Sequence, residues 1–148
     1  MADKHMFEVE TNPFVPWNIP VEALTQWLTA VALEEGYDVG SLNIRYYSDE
    51  GLLEINKAYL QHDYFTDIIT FNRNRGKRLQ GDLALSYERI IEHAKTFSKS
   101  ITHEAARVHV HGILHLCGYN DALESDKQVM RDVESYYLEK APTFGIDI

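Results

Sequence analysis

Apolar side chains recur at two different spacings along the chain, which predicts a domain built from both helices and strands. Helical spacing runs through residues 20–35, where Pro20 suits the first turn and Gly36 follows the last. The apolar stripe of this first predicted helix consists of Leu24, Trp27, Leu28 and Val31. A stripe of this kind most often packs against a core.

Alternating apolar and polar residues indicate strands in the middle of the chain. Residues 42–47 alternate regularly, β-branched and aromatic residues dominate 66–71, and a second short apolar run covers 83–86. A short edge strand is expected over residues 7–10, and residues 1–6 are expected to be loose. Further helices are predicted over residues 50–60, 88–97, 102–117 and 125–138.

The last of these helices opens with a capping signature. Ser125 and Gln128 have the spacing of a capping box, and Val129, Val133 and either Tyr136 or Tyr137 are expected to face inward. The pattern as a whole predicts an α+β fold. We expect one small domain over residues 1–148, with a short mixed sheet, about five helices and a candidate metal site on a buried helix.

Composition narrows the class of protein. A chain of 148 residues can bury one substantial core, and it holds no apolar run of membrane-spanning length and no signal-peptide pattern. Its single cysteine permits no internal disulfide, which suits a reducing cytoplasm. The net charge of −9 argues against a protein that coats nucleic acid non-specifically. A local contact with RNA remains compatible with that charge.

The strongest chemical signal lies in the predicted helix over residues 102–117. His111 and His115 are four residues apart and therefore project from one face of a helix. Gly118 suits the end of that helix, after which the chain can return and bring Asp121 to the same point. Two nitrogen ligands and one oxygen ligand leave an open position on zinc, as in catalytic sites. We expect one Zn²⁺ per chain here.

Neighbouring residues decide between a metal site and ordinary core histidines. Between residues 105 and 118 the only clearly polar side chains are Arg107 and three histidines, so the helix is apolar nearly all round. A buried imidazole needs a partner, which a shared ion supplies. His109 lies on the other side of the helix and is interpreted as a core or outer-sphere residue. Gly112 stands where zinc proteases of similar spacing carry a catalytic glutamate, which disfavours peptide hydrolysis.

A basic stretch separates the two later strands. Residues 72–78 contain four of the chain's 14 basic side chains. They form either a solvated hairpin loop or a loop that contacts RNA phosphates. The candidate RNA-binding residues are Arg73, Arg75, Lys77 and Arg78. Asp67, just before them, could hydrogen-bond a ligand histidine or simply cap the end of a strand.

The motif over residues 111–119, HGILHLCGY, resembles the signature of the YbeY family of bacterial metal-dependent endoribonucleases. Two more blocks are similar in the same order, TDIITF at residues 66–71 and GDLALS at residues 81–86. The similarity extends over about residues 41–137. It implies a zinc-binding α/β domain that cleaves single-stranded RNA, with a role in maturing the 3′ end of small-subunit ribosomal RNA and in ribosome quality control.

Two positions depart from the family pattern. The third family ligand is histidine, whereas Asp121 stands here, preceded by Asn120 in place of aspartate. Carboxylate is an acceptable zinc ligand but lowers the positive charge of the site. Leu60 follows Tyr59 where the family usually has arginine. Arg45, Lys57 or the basic loop are possible substitutes for that arginine.

The sequence therefore favours a zinc-dependent endoribonuclease whose partners are ribosomal RNA and the small ribosomal subunit, without membrane attachment. No catalytic residue beyond the metal ligands, and no oligomeric state, follows from it. Two alternatives stay open: a ribosome-associated binding factor with a structural zinc and, less favoured because of Gly112, a zinc hydrolase of peptides.

Overall fold

Strands and helices follow one another along the 142 residues that the computed structural model describes, 7–148. The prediction for residues 1–6 lies outside that range. The elements are β1 (Phe7–Val9), α1 (Val21–Glu34), β2 (Asp38–Tyr47), α2 (Asp49–Leu60), β3 (Ile68–Asn72), β4 (Arg78–Ser86), α3 (Tyr87–Thr96), α4 (Ile101–Leu116), α5 (Glu124–Leu138) and a final 3₁₀ helix (Ala141–Phe144). The α+β prediction is confirmed.

The four strands form one mixed sheet in the order β1-β2-β4-β3. β1 pairs with β2, and β2 with β4, in parallel, whereas β3 pairs with β4 antiparallel. A short hairpin can join antiparallel strands, while each parallel pair needs a helical crossover. Among the described strands β3 pairs only with β4, so it lies at one edge of the sheet.

Helices cover both faces of the sheet. α4 crosses one face, and its Gly112 lies so close that an added Cβ would stand 2.7 Å from Ile68 and 2.9 Å from Leu83. α2 packs on the other face, where Leu52 meets Ile69 and Ala84. Gly112 thus serves close packing on the sheet. A glutamate there would be buried among aliphatic side chains, away from the side that carries His111.

Two strands are longer than their apolar alternation predicts. β2 and β4 each extend several residues toward the amino terminus of the predicted runs, and a bulge lies between Val39 and Leu42. Gly81 interrupts the pattern in β4. Its φ is +157°, and an added Cβ would come within 2.1 Å of the Phe71 carbonyl oxygen. Glycine is required there because two backbones meet, and glycine carries no apolar signal.

The predicted start of α5 is wrong. The helix begins at Glu124, and no side chain caps it, so the Ser125 capping box does not form. The prediction that either Tyr136 or Tyr137 faces inward holds for Tyr137, which is buried, whereas Val129 remains 51% exposed. The buried stripe instead includes Met130 and Glu134. Val133 packs against the core as predicted, but a glutamate is not expected inside a core, so apolar periodicity alone does not identify Glu134.

Among the described residues, no helix is long and apolar enough to cross a membrane.

Candidate metal centre

The candidate ligands lie on the side of α4 that faces α5, where His111 contacts Glu134. His109 points toward β2, where its Nε2 lies 2.8 Å from the Tyr46 hydroxyl. Gly112 packs against β3 and β4. Because successive residues turn by about 100°, His111 and His115 project away from the side that carries His109. Their rings meet edge to face, with centroids 4.6 Å apart.

The turn after α4 brings the third candidate back. Gly118 has φ +100°, and its N–H donates to the His115 carbonyl, while Tyr119 N–H donates to Leu114. These bonds close the helix through a left-handed residue, as glycine favours. Asp121 then lies beside both imidazoles. Its Oδ2 is 3.4 Å from Nε2 of His111 and 3.2 Å from Nε2 of His115.

These spacings are compatible with three side chains that share one metal ion. Two atoms bound at about 2.0–2.2 Å to a tetrahedral zinc ion lie roughly 3.3–3.5 Å apart. The imidazole and carboxylate atoms of His111, His115 and Asp121 lie within 4.8 Å of one another. Asp121 is 43% exposed, so solvent reaches the group. The donor set suits a zinc-type ion with an open coordination position.

Hydrogen bonds fix which nitrogen of each histidine faces Asp121. Nδ1 of His115 donates to the Tyr119 carbonyl at 3.0 Å, and Nδ1 of His111 donates to the Glu134 carboxylate at 2.5 Å. A carbonyl oxygen can only accept, so the hydrogen of His115 must be on Nδ1. In both rings it is Nε2 that faces Asp121. Carboxylate and carbonyl partners of this kind orient histidine ligands in metal sites.

Glu134 is held by a buried ion-pair network. It is 2% exposed, and its second oxygen accepts from Arg107 at 3.1 Å. Arg107 also donates to buried Glu104 at 2.6 Å. Burial disfavours a charged guanidinium, but the two glutamates more than offset it and raise the pKa of Arg107 above its usual range. One arginine therefore neutralises part of the charge of two buried carboxylates.

Asp67 is placed differently from the sequence interpretation. In the structure Nδ1 of each candidate ligand already has another partner, Glu134 or the Tyr119 carbonyl. Asp67 instead lies 3.5 Å from His93 and 3.6 Å from Arg107. Burial would raise the pKa of Asp67, yet His93 and the positive charge of Arg107, with a smaller effect of His111, hold it below its ordinary value. Asp67 joins the ion-pair network and does not hydrogen-bond a ligand.

Glu134 is the residue that sequence reasoning missed. The sequence offers one signal for it: Glu134 comes four residues after Met130, so both residues lie on the same face of α5, which is buried. A carboxylate at an inward helical position implies a buried partner.

A second group of possible ligands, Asp67, His93 and Glu104, also converges within 4.8 Å. The Arg107 guanidinium lies against two of these carboxylates and supplies positive charge there. We therefore interpret this group as part of the ion-pair network.

The basic loop reaches the end of α4. Asn74 donates to the Leu116 carbonyl at 2.7 Å, next to His115. Within the loop, Arg73 forms an ion pair with Asp82. Nζ of Lys77 lies 4.5 Å from the centre of the Tyr37 ring, and Arg75 bridges to Arg78 through the backbone. The loop thus contacts the end of the helix that carries His111 and His115, and its cations are exposed.

Similarity to known proteins identifies the family of the chain. The sequence model described as Endoribonuclease YbeY matches residues 15–142. The chain belongs to the YbeY family. It is 40% identical over 124 residues to Endoribonuclease YbeY of Parabacteroides distasonis, covering 84% of this chain and 87% of that one. It is 44% identical over 114 residues to the YbeY protein of Bacteroides thetaiotaomicron, covering 77% and 83%.

The fold of a solved structure is also similar. The solution structure of TM1509 from Thermotoga maritima superposes with a TM-score of 0.62 and 26% sequence identity, covering 82% of this chain and 80% of that one. The family model and the two relatives confirm the resemblance inferred from the motif over residues 111–119. Leu60, where the sequence departs from the YbeY pattern, lies at the end of α2 and is 40% exposed.

Proposed function

We propose that this YbeY-family protein is a zinc-dependent endoribonuclease that cleaves single-stranded RNA. Membership of the family supports the reaction class. The observation that carries the proposal is the convergence of His111, His115 and Asp121, with both Nε2 atoms turned toward one carboxylate. Three ligands and a solvent-exposed opening suit catalysis better than a closed structural site.

The proposed ion is Zn²⁺, one per chain, held by His111 Nε2, His115 Nε2 and an Asp121 oxygen. When bound, zinc polarises a phosphate oxygen and lowers the pKa of a coordinated water. The chain's own residues prepare the site. Glu134 and the Tyr119 carbonyl each hold one imidazole by its Nδ1, which leaves Nε2 facing Asp121, where it would bind the ion.

The proposed substrate enters along the edge of β3. Arg73, Arg75, Lys77 and Arg78 lie on the loop that follows this strand, near the end of α4. Cations on such a loop would contact phosphates and position the strand without reading its sequence. In a chain of net charge −9, binding of RNA requires a local positive surface of this kind.

We further propose that the substrate is ribosomal RNA, that the protein acts in maturing the 3′ end of small-subunit RNA and in ribosome quality control, and that it works in the cytoplasm with the small ribosomal subunit. The similarity of residues 111–119 to the YbeY signature supports this assignment. Mapping RNA 3′ ends in cells that lack the protein tests it. Extended small-subunit RNA ends are expected, and correctly processed ends would contradict this cellular role.

A second candidate is a ribosome-associated factor whose zinc is structural. Leu60 favours it, since the family arginine would stabilise charge on a reacting phosphoryl group and leucine cannot. Chelation separates the two functions. For the enzyme, removing zinc abolishes RNA cleavage while circular dichroism shows a folded protein, whereas unfolding on chelation supports a structural ion.

The direct test of the activity uses purified protein, zinc and a single-stranded RNA that spans the 3′ end of precursor ribosomal RNA. Wild type is expected to cut it, and His111→Ala is expected not to. Asp132→Ala, which removes an exposed carboxylate on α5, is the matched control and should cut normally. Equal cleavage by wild type and His111→Ala would contradict the proposed mechanism.

A further inference from the structure

A groove lies on the other side of edge strand β3 from the candidate metal centre. It has a volume of about 760 Å³ and runs between α2 and the strands β3 and β4. Three aromatic side chains line it, Tyr47, Tyr59 and Phe71, and Arg73 and Asp82 lie at its polar part. None of the candidate metal ligands takes part in this groove.

The aromatic rings of the groove are arranged to receive a flat group. Tyr59 is 72% exposed although it contacts Phe71, with ring centroids 6.0 Å apart and planes at 83°. Two perpendicular rings form a corner in which a planar ring can stack on one and meet the other by its edge. An exposed tyrosine of this kind contributes little to the core, so packing does not explain its position.

Charge and hydrogen-bonding groups favour a nucleotide over a purely apolar guest. Arg73 is exposed at the groove, where it pairs with Asp82. Arg45 is close enough that it helps, after Arg73 and Asn43, to hold the pKa of Asp82 below its usual value against the effect of burial. Arg73 and Arg45 thus place two positive charges near the Asp82 carboxylate. Single-stranded RNA is commonly bound by aromatic rings that stack on bases beside cations that contact phosphates.

The same loop connects the groove to the metal centre. Arg73 lines the groove, and the next residue, Asn74, donates to the Leu116 carbonyl beside His115. An RNA strand that crosses the edge of β3 would contact both the groove and the candidate metal centre.

We propose that this groove binds an unpaired nucleobase of the RNA substrate, stacked on Tyr59 and meeting Phe71 by its edge, next to the nucleotides at the metal centre. The inference rests on the proposed function, because it identifies where that substrate is held. Base stacking in the groove, which tolerates any sequence, would give the protein a preference for single-stranded RNA over duplexes. In a duplex the bases are already stacked on one another and cannot enter the groove.

The test measures equilibrium binding of zinc-loaded protein to a single-stranded 2′-O-methyl RNA and to a strand of equal length without bases. Tyr59→Ala is expected to weaken binding of the base-bearing strand about tenfold, since one stacked base contributes roughly 1–3 kcal/mol. Binding of the base-free strand should not change. Tyr59→Phe keeps the ring and is expected to restore binding to the wild-type level.

Tyr136→Ala is the matched control, because Tyr136 is 45% exposed on α5, away from the groove. It should bind both strands like wild type. Equal affinity of wild type and Tyr59→Ala for the base-bearing strand would overturn this inference alone, as would an equal loss for both strands. Failure of wild type to bind either strand would overturn the proposed function as well, so the two failures are distinguishable.

Discussion

His109 and His111 are two residues apart on α4 and have opposite surroundings. We call the side of α4 that carries His109 its β2 side, and the side that carries His111 and His115 its α5 side. On the β2 side, His109 is 0% exposed, donates from Nδ1 to the Ala105 carbonyl and accepts from Tyr46. Burial lowers the pKa of His109 to about 4. Both nitrogens are satisfied, so His109 is a neutral core residue.

On the α5 side one nitrogen of each histidine is held by Glu134 or by the Tyr119 carbonyl, and the other nitrogen faces the partly exposed carboxylate of Asp121. The charge that orients His111 comes from Glu134, which in turn depends on Arg107. The comparison shows that the neighbours of a histidine, more than its position in a motif, decide whether it packs or is available to bind a metal.

The most damaging change to the α5 side is Arg107→Leu. It leaves Glu104 and Glu134 buried without their shared cation. Removing one partner of a buried ion pair typically costs about 3–5 kcal/mol. The free energy of unfolding, measured with urea, should fall by that amount. Arg131→Leu, at an exposed position on α5, is the control, and an equal effect of both variants would show that the network does not stabilise the fold.

Alanine substitutions on the two sides should separate stability from metal binding. His109→Ala leaves a cavity and an unpaired Tyr46 hydroxyl, so it should cost about 2–4 kcal/mol in stability. Zinc affinity of the folded variant should stay near that of wild type. His111→Ala should have the converse result, with zinc binding lost and little change in the unfolding of the metal-free protein. If His109→Ala lost zinc binding and His111→Ala kept it, the contrast between the two sides of α4 would be contradicted.

A subtler change to the α5 side is Glu134→Gln. Glutamine keeps the shape and one acceptor but removes the charge that faces His111. Loss of an outer carboxylate partner typically weakens metal affinity about 10–100-fold. Competition with a chromogenic chelator measures the zinc affinity. Glu124→Gln, at a 93% exposed position on the same helix, should bind zinc like wild type, and unchanged affinity of Glu134→Gln would argue against its orienting role.

The smallest effect is expected at the basic loop, residues 72–78, which contacts the end of α4. Arg73→Ala/Arg75→Ala should weaken binding of different single-stranded RNAs by a similar factor and flatten the log–log salt dependence by about 0.7 per lost contact. Zinc content should not change. RNA affinity at several salt concentrations provides the measurement, with Lys95→Ala/Lys140→Ala as a control of equal charge. Identical slopes for both double variants would mean that the loop makes no specific phosphate contact.

Local patterns predicted much of this structure. Helical spacing located α1, α2, α3 and α4, and the i, i+4 histidines with Gly118 predicted a turn that brings Asp121 back. These features depend on residues close in sequence. The length of β4 did not follow from alternation, because Gly81 is required by the neighbouring backbone of Phe71 and interrupts the pattern.

The partner of His111 could not be predicted from a local pattern either. Glu134 is 23 residues away, and only packing of α5 against α4 brings the two together. The sequence suggested Asp67 as a hydrogen-bond partner of a ligand histidine, but in the fold Asp67 lies beside Arg107 and His93. Long-range pairing of buried charges is set by tertiary packing, which a single sequence does not display.

The central claim, that His111, His115 and Asp121 bind one metal ion, is tested most directly by zinc titration of three proteins. Wild type should bind one zinc per chain. Asp121→Ala should bind it far more weakly, because two histidines alone rarely suffice, and Asp121→His should keep binding, since imidazole is also a good ligand. Equal zinc affinity of wild type and Asp121→Ala would contradict the ligand assignment and the account built on it.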